Sequence, residues 1–262
     1  MAGEAAALAL NSGEIHLWLT FCAEAQDSAL IERYRALMTP AERARCDRFH
    51  FARDRHRYLV TRALVRTVLS RYAPVTPADW RFEATPHGRP VIVNEDDGAR
   101  TLSFNLTHTS DLIALAVTRG RAIGVDTENI DRGAMLDVAD RYFAPSECQG
   151  LRALPAGDQP LRFFELWTLK ESYIKARGMG LSIALDRFSF DLREAGKVSL
   201  SIEPELRDAP QRWALCQLWP TPRHPLALCV ERLPDQPFDL IARKLVPLQA
   251  ESRLELPTAR SN

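Results

Sequence analysis

Glu171 and Lys175 stand four residues apart in the run Phe163–Gly180, FFELWTLKESYIKARGMG. In a helix that spacing puts a carboxylate and an ammonium on one stripe, with Phe164 and Trp167 or Thr168 above them. Asp126 and Glu128 are separated by one residue in Gly124–Glu128, GVDTE. Alternate side chains of an extended chain share a face, so these two carboxylates point the same way. Like charges so close repel each other and persist most easily with a cation between them. With Glu171 they make three hard oxygen donors, a set that suits Mg²⁺ completed by water and a substrate phosphate. Each pattern also has a plain structural reading. Glu171 and Lys175 form a favourable i, i+4 helix pair worth about a few tenths of a kcal/mol. An Asp-x-Glu also occurs in solvated turns.

Lysine usage favours chemistry in the helix. Of 34 basic residues only Lys170, Lys175, Lys197 and Lys244 are lysines, and two of them fall in this run. A compact, strongly hydrated ammonium is the type suited to a single phosphate oxygen. Polar groups also bunch in Phe104–Ser110, FNLTHTS, where Phe104 and Leu106 fit a core and His108 could donate to a phosphate. Gly88-Arg89-Pro90 offers close backbone approach beside a guanidinium, and a β-turn accounts for it equally well. The phosphate-binding loop Gly-x-x-x-x-Gly-Lys-[Ser/Thr], a Gly-x-Gly-x-x-Gly after a strand, and a Gly-x-Ser-x-Gly elbow are all missing, which removes the main support for ATPase, dehydrogenase and α/β-hydrolase readings.

The elements that must position these groups alternate in texture. Glu14–Phe21 reads as a strand and Ser28–Leu37 as a helix. Thr39-Pro40-Ala41-Glu42 reads as a helix start, with a longer helix over Arg53–Tyr72. Short extended runs follow at 80–83, 91–93 and 102–106, then Leu112–Thr118 and Ala122–Thr127 around a hairpin signal at Arg119-Gly120. Met135–Tyr142 and Ser146–Leu154 read as helices, and a loop over Pro155–Pro160 leads to the helix at Phe163 that stops at Gly178 and Gly180. Leu166, Leu169, Tyr173 and Ile174 give that helix a buried face. Four later runs, Phe188–Leu192, Val198–Ile202, Trp213–Trp219 and Leu226–Glu231, read as a β-meander. The order suggests an α+β fold in two similar halves. The expected division is 1–123, 124–248 and a polar, loose tail over 249–262.

A chain of 262 residues with 46% hydrophobic and 26% charged residues is that of an ordinary soluble globular protein. No apolar run approaches the roughly 20 residues of a membrane span. The opening MAGEAAALALNSGE has no basic n-region and carries Glu4, so no signal peptide is expected. Cysteines 22, 46, 148, 216 and 229 are scattered, which points to reduced thiols in the cytoplasm. Net charge is zero but uneven. Between Arg33 and Arg71 eleven arginines face Glu42, Asp47 and Asp54, a local excess of +8 balanced by −8 elsewhere. Such a field suggests a polyanionic ligand or an acidic partner more than bulk nucleic acid; an arginine-laced solvated helix face is the other reading.

Taken together and in order, the motifs resemble those of the Sfp-type (surfactin-synthetase-activating) 4′-phosphopantetheinyl transferases. The likeness rests on Gly88-Arg89-Pro90, Phe104-Asn105-Leu106-Thr107-His108-Thr109, Gly124-Val125-Asp126-Thr127-Glu128 and Trp167-Thr168-Leu169-Lys170-Glu171-Ser172-Tyr173-Ile174-Lys175. Arg141-Tyr142-Phe143 with Glu147, and Thr39-Pro40 with Arg45, Arg48 and Phe49, also look similar. The likeness spans roughly Glu14 to Glu231, and the Trp-x-x-Lys-Glu-x-x-x-Lys block is its most specific part.

The resemblance implies a pseudo-twofold α+β fold with the active site between the halves, acting as a monomer away from membranes and nucleic acid. It implies Mg²⁺-dependent transfer of phosphopantetheine from coenzyme A to a serine of an apo carrier protein (acyl, peptidyl or aryl), with release of 3′,5′-ADP. Asp126, Glu128 and Glu171 would hold Mg²⁺, Lys175 would neutralise pyrophosphate charge, and Glu171 would take the serine proton directly or through water. Arg45, Arg57, Gly88, Arg89, Thr107 and His108 would line the coenzyme A site. Two departures stand out: Glu42 lies where members often have a basic residue, and Thr127 where many have an aliphatic one. The residues by themselves also fit a Mg²⁺-dependent phosphodiesterase or nuclease, or a non-catalytic coenzyme A-binding module.

Overall fold

Strand Glu14–Phe21 (β1) leads into helices Ser28–Ala36 (α1), Pro40–Asp47 (α2) and Ala52–Leu69 (α3). Strands Phe82–Ala84 (β2) and Pro90–Ile92 (β3), a turn of helix at Asp97–Arg100 (α4), and strands Leu102–His108 (β4), Leu112–Arg119 (β5) and Ile123–Thr127 (β6) follow. Helices Leu136–Tyr142 (α5), Pro145–Arg152 (α6) and Gln159–Arg177 (α7) come next. The chain ends in strands Phe188–Asp191 (β7), Ser199–Ile202 (β8), Trp213–Thr221 (β9), His224–Glu231 (β10), Asp239–Val246 (β11), Ala250–Leu254 (β12) and Thr258–Ser261 (β13). This computed structural model describes residues 7–233 and 238–262. Glu4 and the other residues of 1–6, part of the stretch read for a leader, lie outside the described residues. The mixed α+β class matches expectation.

The chain divides into two units. The first takes the described residues up to Phe104, Ser110–Gly120 and Asp239–Leu254; the second takes Asn105–Thr109, Arg121–Phe238 and Glu255–Asn262. The chain passes between the units more than once.

In the first unit, five strands are ordered β12-β11-β1-β5-β4. β1 sits in the middle, parallel to β11 (Glu14↔Asp239) and antiparallel to β5 (His16↔Val117). Its sequence EIHLWLTF sets apolar Ile15, Leu17, Leu19 and Phe21 against Glu14, His16, Trp18 and Thr20, and both faces are buried from Ile15 to Thr20. α2 begins as expected. Thr39 Oγ1 accepts from the Glu42 amide at 3.2 Å, and Glu42 Oε2 accepts from the Thr39 amide at 2.9 Å, closing a capping box ahead of Pro40. The same carboxylate pairs with Arg66 at 2.8 Å. Arg66 is fully buried and also donates to the Pro77, Ala78 and Trp80 carbonyls. Arg35 pairs with Asp47, and Arg57 with Asp54. Much of the +8 segment is therefore internal wiring rather than a bare basic field, while Arg45, Arg48, Arg53 and Arg55 remain exposed.

In the second unit, four strands are ordered β13-β9-β10-β6, and α7 lies against β6 and β10. α7 buries Phe163, Leu166, Leu169, Tyr173 and Ile174 in a core with Trp213 and Leu215. It stops at Gly178, whose φ of 67° is the left-handed cap conformation, with Lys175 and Arg177 in the last turn where cations are favoured. The close seat of α7 on β6 depends on Gly124. A Cβ there would lie 2.0 Å from the Ser172 carbonyl oxygen and 2.5 Å from the Ala176 amide nitrogen. A buried ion pair fixes the other flank. Lys170 Nζ meets Glu147 Oε2 at 2.7 Å with both side chains fully buried, and donates to the Leu185 and Phe188 carbonyls. Glu147 also accepts from the Ala144 and Phe190 amides. Burial pushes the Glu147 carboxyl up and the Lys170 ammonium down, each against the pull of its partner. Lys170 is thus a tie between elements, although lysine usage alone did not distinguish it from Lys175.

Several expectations need correction. α7 starts at Gln159, before Phe163, because Pro160 falls in the first turn, where a missing N–H costs nothing. The late strands do not form one meander: among the described residues β7 and β8 make a two-stranded sheet, while β9 and β10 join β6 and β13. The 249–262 tail is not loose. It supplies β12, antiparallel to β11, and β13, antiparallel to β9. Both are edge strands, which can be polar because one face and one edge stay in water. β11 itself, with Arg243 and Lys244 in its middle, was not read as a strand. Among the described residues no helix is long and apolar enough to cross a membrane, and all five cysteines are free thiols.

Two substitutions test these restraints. Gly124→Ala is expected to cost about 1–3 kcal/mol or more, because the added methyl meets backbone that cannot give. An unfolding midpoint equal to the parent's would show that β6 and α7 can part freely. Lys170→Met should cost about 3–5 kcal/mol by stranding Glu147, with most of it recovered in Lys170→Met/Glu147→Leu. Denaturant titration of the three chains checks this; a single variant as stable as the parent would contradict it.

Candidate active site

β6 ends on the residues of interest. Ile123–Thr127 is buried throughout and antiparallel to β10, with Asp126 opposite Ala227. Alternation puts Gly124 and Asp126 on one face, and the missing side chain at Gly124 is what brings α7 up to that face. Lys175 Nζ donates to Asp126 Oδ1 at 2.6 Å and to the Val125 carbonyl at 3.2 Å. Helical spacing alone suggested Glu171 as its partner; the closer carboxylate across the packed interface takes it instead.

The end of β4 completes this corner. Thr107 Oγ1 donates to Asp126 Oδ1 at 3.0 Å. Asn105 Oδ1 accepts from the Val125 amide at 2.9 Å, so a side chain satisfies a β6 backbone donor. Asp126 Oδ2 is buried with no hydrogen-bond partner among the described residues. An orphaned carboxylate oxygen is costly to bury, and a donor or cation is what it lacks.

The other two carboxylates respond to Asp126. Glu128 is pushed up to about 7, first by burial and then by the charge of Asp126, against the pull of Arg132 and Lys175. Glu171 is raised by burial and next by Asp126, with Lys175 opposing. Glu171 makes no hydrogen bond or ion pair among the described residues. Both shifts show carboxylates whose negative charge is under-compensated.

This donor set fits a hard divalent cation: three carboxylates in mutual repulsion, one with an unsatisfied oxygen. The three do not stand as a preformed ligand cluster, since no group of three His, Cys, Asp or Glu side chains among the described residues is gathered tightly enough to hold a metal ion.

The remaining candidates lie elsewhere on the chain. His108 is exposed at the end of β4, in the second unit. Arg45, Arg57, Gly88 and Arg89 all belong to the first unit. The Arg45 guanidinium is exposed and lies 5.6 Å from the Tyr58 ring centroid. Arg57 pairs with Asp54 at 2.9 Å. Gly88 turns the β2–β3 hairpin with a φ of 79° that disfavours any side chain. Arg89 is half-buried, with its pKa lowered by burial, and donates to the Phe104 carbonyl at 3.3 Å. Sequence reasoning missed Asn105 and Arg132. Asn105 lay inside a quoted motif, but nothing there signalled a partner twenty residues on. Arg132 pairs with Glu128 at 2.9 Å, four residues after it, a spacing that could have been noticed.

Comparison with known proteins places the chain. A family profile described as the 4′-phosphopantetheinyl transferase superfamily matches residues 122–229, and one described as 4′-phosphopantetheinyl transferase, N-terminal, matches residues 26–120. The 4′-phosphopantetheinyl transferase Sfp of Bacillus subtilis is 34% identical over 80% of this chain and 88% of its own length. The 4′-phosphopantetheinyl transferase HetI of a Nostoc species is 32% identical over 81% of this chain and 86% of its own. A solved holo-[acyl-carrier-protein] synthase of Thermotoga maritima overlaps 42% of this chain and 62% of that one at 21% identity, with a TM-score of 0.35, too slight to inform the fold. With both parts of the chain matched and relatives aligned over most of their length, the protein belongs to the 4′-phosphopantetheinyl transferase superfamily.

Proposed function

We propose that this protein transfers the 4′-phosphopantetheinyl group of coenzyme A to a serine hydroxyl of an apo carrier protein, with Mg²⁺ as cofactor. The observation that carries the reading is the Asp126 corner. One buried carboxylate is held by Lys175 and Thr107 and keeps one oxygen unsatisfied, and burial, then its charge, raises the pKa of both Glu128 and Glu171. Phosphoryl transfer needs positioned charge more than covalent chemistry from the protein.

Asp126, Glu128 and Glu171 would hold the cation. When bound, Mg²⁺ supplies charge stabilisation to the pyrophosphate oxygens. Lys175, held at Asp126 and the Val125 carbonyl but partly exposed, would bring its positive charge to the pyrophosphate. Thr107 and Lys175 together fix the Asp126 carboxylate. Glu171 is the base in this reading. A carboxylate with a raised pKa and no internal partner is suited to receive the serine proton as the serine oxygen bonds to the β-phosphorus and the bond to 3′,5′-ADP breaks. Arg45, Arg57, Gly88, Arg89 and His108 are assigned to coenzyme A and its phosphates by family likeness. We place the protein in the cytoplasm, acting as one chain.

The test is intact-mass measurement of an apo carrier protein incubated with coenzyme A and this protein, with Mg²⁺ or with EDTA. A Mg²⁺-dependent gain of one phosphopantetheine is expected, and Glu171→Gln should lower its rate by roughly 10²–10⁴-fold, the usual worth of a carboxylate base. No gain on any of several acyl, peptidyl and aryl carriers would defeat the reading, and near-normal turnover of Glu171→Gln would remove Glu171 as base.

The metal has a readout independent of turnover. Glu128 has a folded pKa raised to about 7 from 4.5. The folded chain therefore binds this proton more tightly than the unfolded chain. Its destabilisation is absent below the unfolded value, grows as pH rises, and is complete above about 7. In EDTA, stability should fall across that window, and Glu128→Gln should flatten the fall. Mg²⁺ should raise the melting temperature more at pH 8 than at pH 5, where it must displace a proton. An equal rise at both would place the cation away from Glu128.

A further inference from the structure

Glu128 is already engaged by a cation of the chain itself. Arg132 Nη1 lies 2.9 Å from Glu128 Oε2, and the guanidinium lies 5.7 Å from the centroid of the buried Phe164 ring. The turn that carries it, Ile130–Arg132, is rigidly tied. Asn129 Oδ1 accepts from the Asp131 amide at 2.9 Å, and the Ile130 amide donates to the Arg223 carbonyl at 3.0 Å. The Glu128 amide donates to Pro225 at 3.2 Å, and Arg223 pairs with Asp131 at 3.1 Å. The two partners differ in exposure. The Glu128 side chain is 13% exposed and that of Arg132 44%. The carboxylate is thus inside while the guanidinium faces outward, anchored by an aromatic face.

An ordinary exposed i, i+4 pair contributes little. Here the carboxylate is mostly buried, repelled by Asp126, and one of the three donors assigned to the metal. A cation that takes Glu128 meets the positive charge of Arg132 on the same carboxylate. A guanidinium has five N–H donors in a fixed fork, matched to phosphate as well as to carboxylate, and it does not deprotonate.

We propose that Arg132 is a further positioning residue of this site: a built-in counter-ion that competes with the divalent cation for Glu128 and, when the cation prevails, binds an anionic phosphate oxygen of coenzyme A. The proposal rests on the reading under Proposed function. Metal and diphosphate then favour each other's binding through the chain, since each engages one half of the Arg132–Glu128 pair, and the coupling is reciprocal.

The test uses the full chain and its Arg132→Gln and Arg132→Lys variants. Mn²⁺ binding is followed by electron paramagnetic resonance at pH 8, and coenzyme A dependence by carrier-protein mass. Arg132→Gln should bind Mn²⁺ roughly fivefold more tightly in the absence of coenzyme A, the worth of one partly buried ion pair. Its apparent KM for coenzyme A should rise roughly tenfold with kcat changed less than about twofold, as for loss of one charge-assisted phosphate contact. Arg132→Lys should restore most of both. A merely structural pair would leave Mn²⁺ affinity unchanged or weaken it, and either result overturns the proposal. If the parent chain itself binds no Mn²⁺, the metal reading falls and this one with it. If the parent binds and Arg132→Gln binds identically, only the Arg132 assignment is lost.

Discussion

The absence of one side chain sets the geometry of the second unit. At Gly124 the backbone of β6 runs so close to α7 that even a methyl group would sit inside the Ser172 carbonyl oxygen. That contact fixes how far Lys175 stands from the strand that bears Asp126, and it makes a 2.6 Å bond possible between them. The same approach brings Glu171, one turn earlier on the helix, under the influence of the Asp126 charge. Thr107 and Asn105 then secure the strand from its other neighbour.

Two lysines of one helix show how surroundings divide labour among identical side chains. Lys170 is fully enclosed, meets a carboxylate and two carbonyls, and lies 4.3 Å from the Phe188 ring centroid. Its donors are used up. Lys175 lies on a different face, meets Asp126 and the Val125 carbonyl, and keeps about a quarter of its side chain in solvent. The first is sealed between elements; the second still reaches solvent. Composition pointed to both, and only contact partners separate them.

Local chemistry was legible where it depended on neighbours in sequence. The capping box at Thr39, the glycine stop of α7 and the hairpin at Gly88 follow from residues three or four apart. The carboxylates and lysine of the site were also legible by type. What could not be read was who meets whom. Lys175 was matched with Glu171 by helical spacing, while tertiary packing gave it Asp126. β11 was obscured by Arg243 and Lys244 in its middle, and the tail strands by polar residues that an edge strand tolerates, since it needs apolar groups on one face at most. The buried Arg66 was counted as part of a basic field, although burial and Glu42 make it a structural strut.

The central strand of the first unit has a consequence for how the nascent chain fares on the ribosome. β1 pairs with β5 soon after both are made, yet its other neighbour, β11, begins only at Asp239. At about 5–20 residues per second, translation leaves that edge without its parallel partner for on the order of ten seconds. During that interval the strand EIHLWLTF, with five apolar residues in eight, presents open backbone donors and acceptors. Closing so long a loop adds little equilibrium cost but delays folding, because the distant contact must form before it stabilises anything. The young polypeptide is therefore most exposed to mispairing and to chaperone capture in its first-made strand.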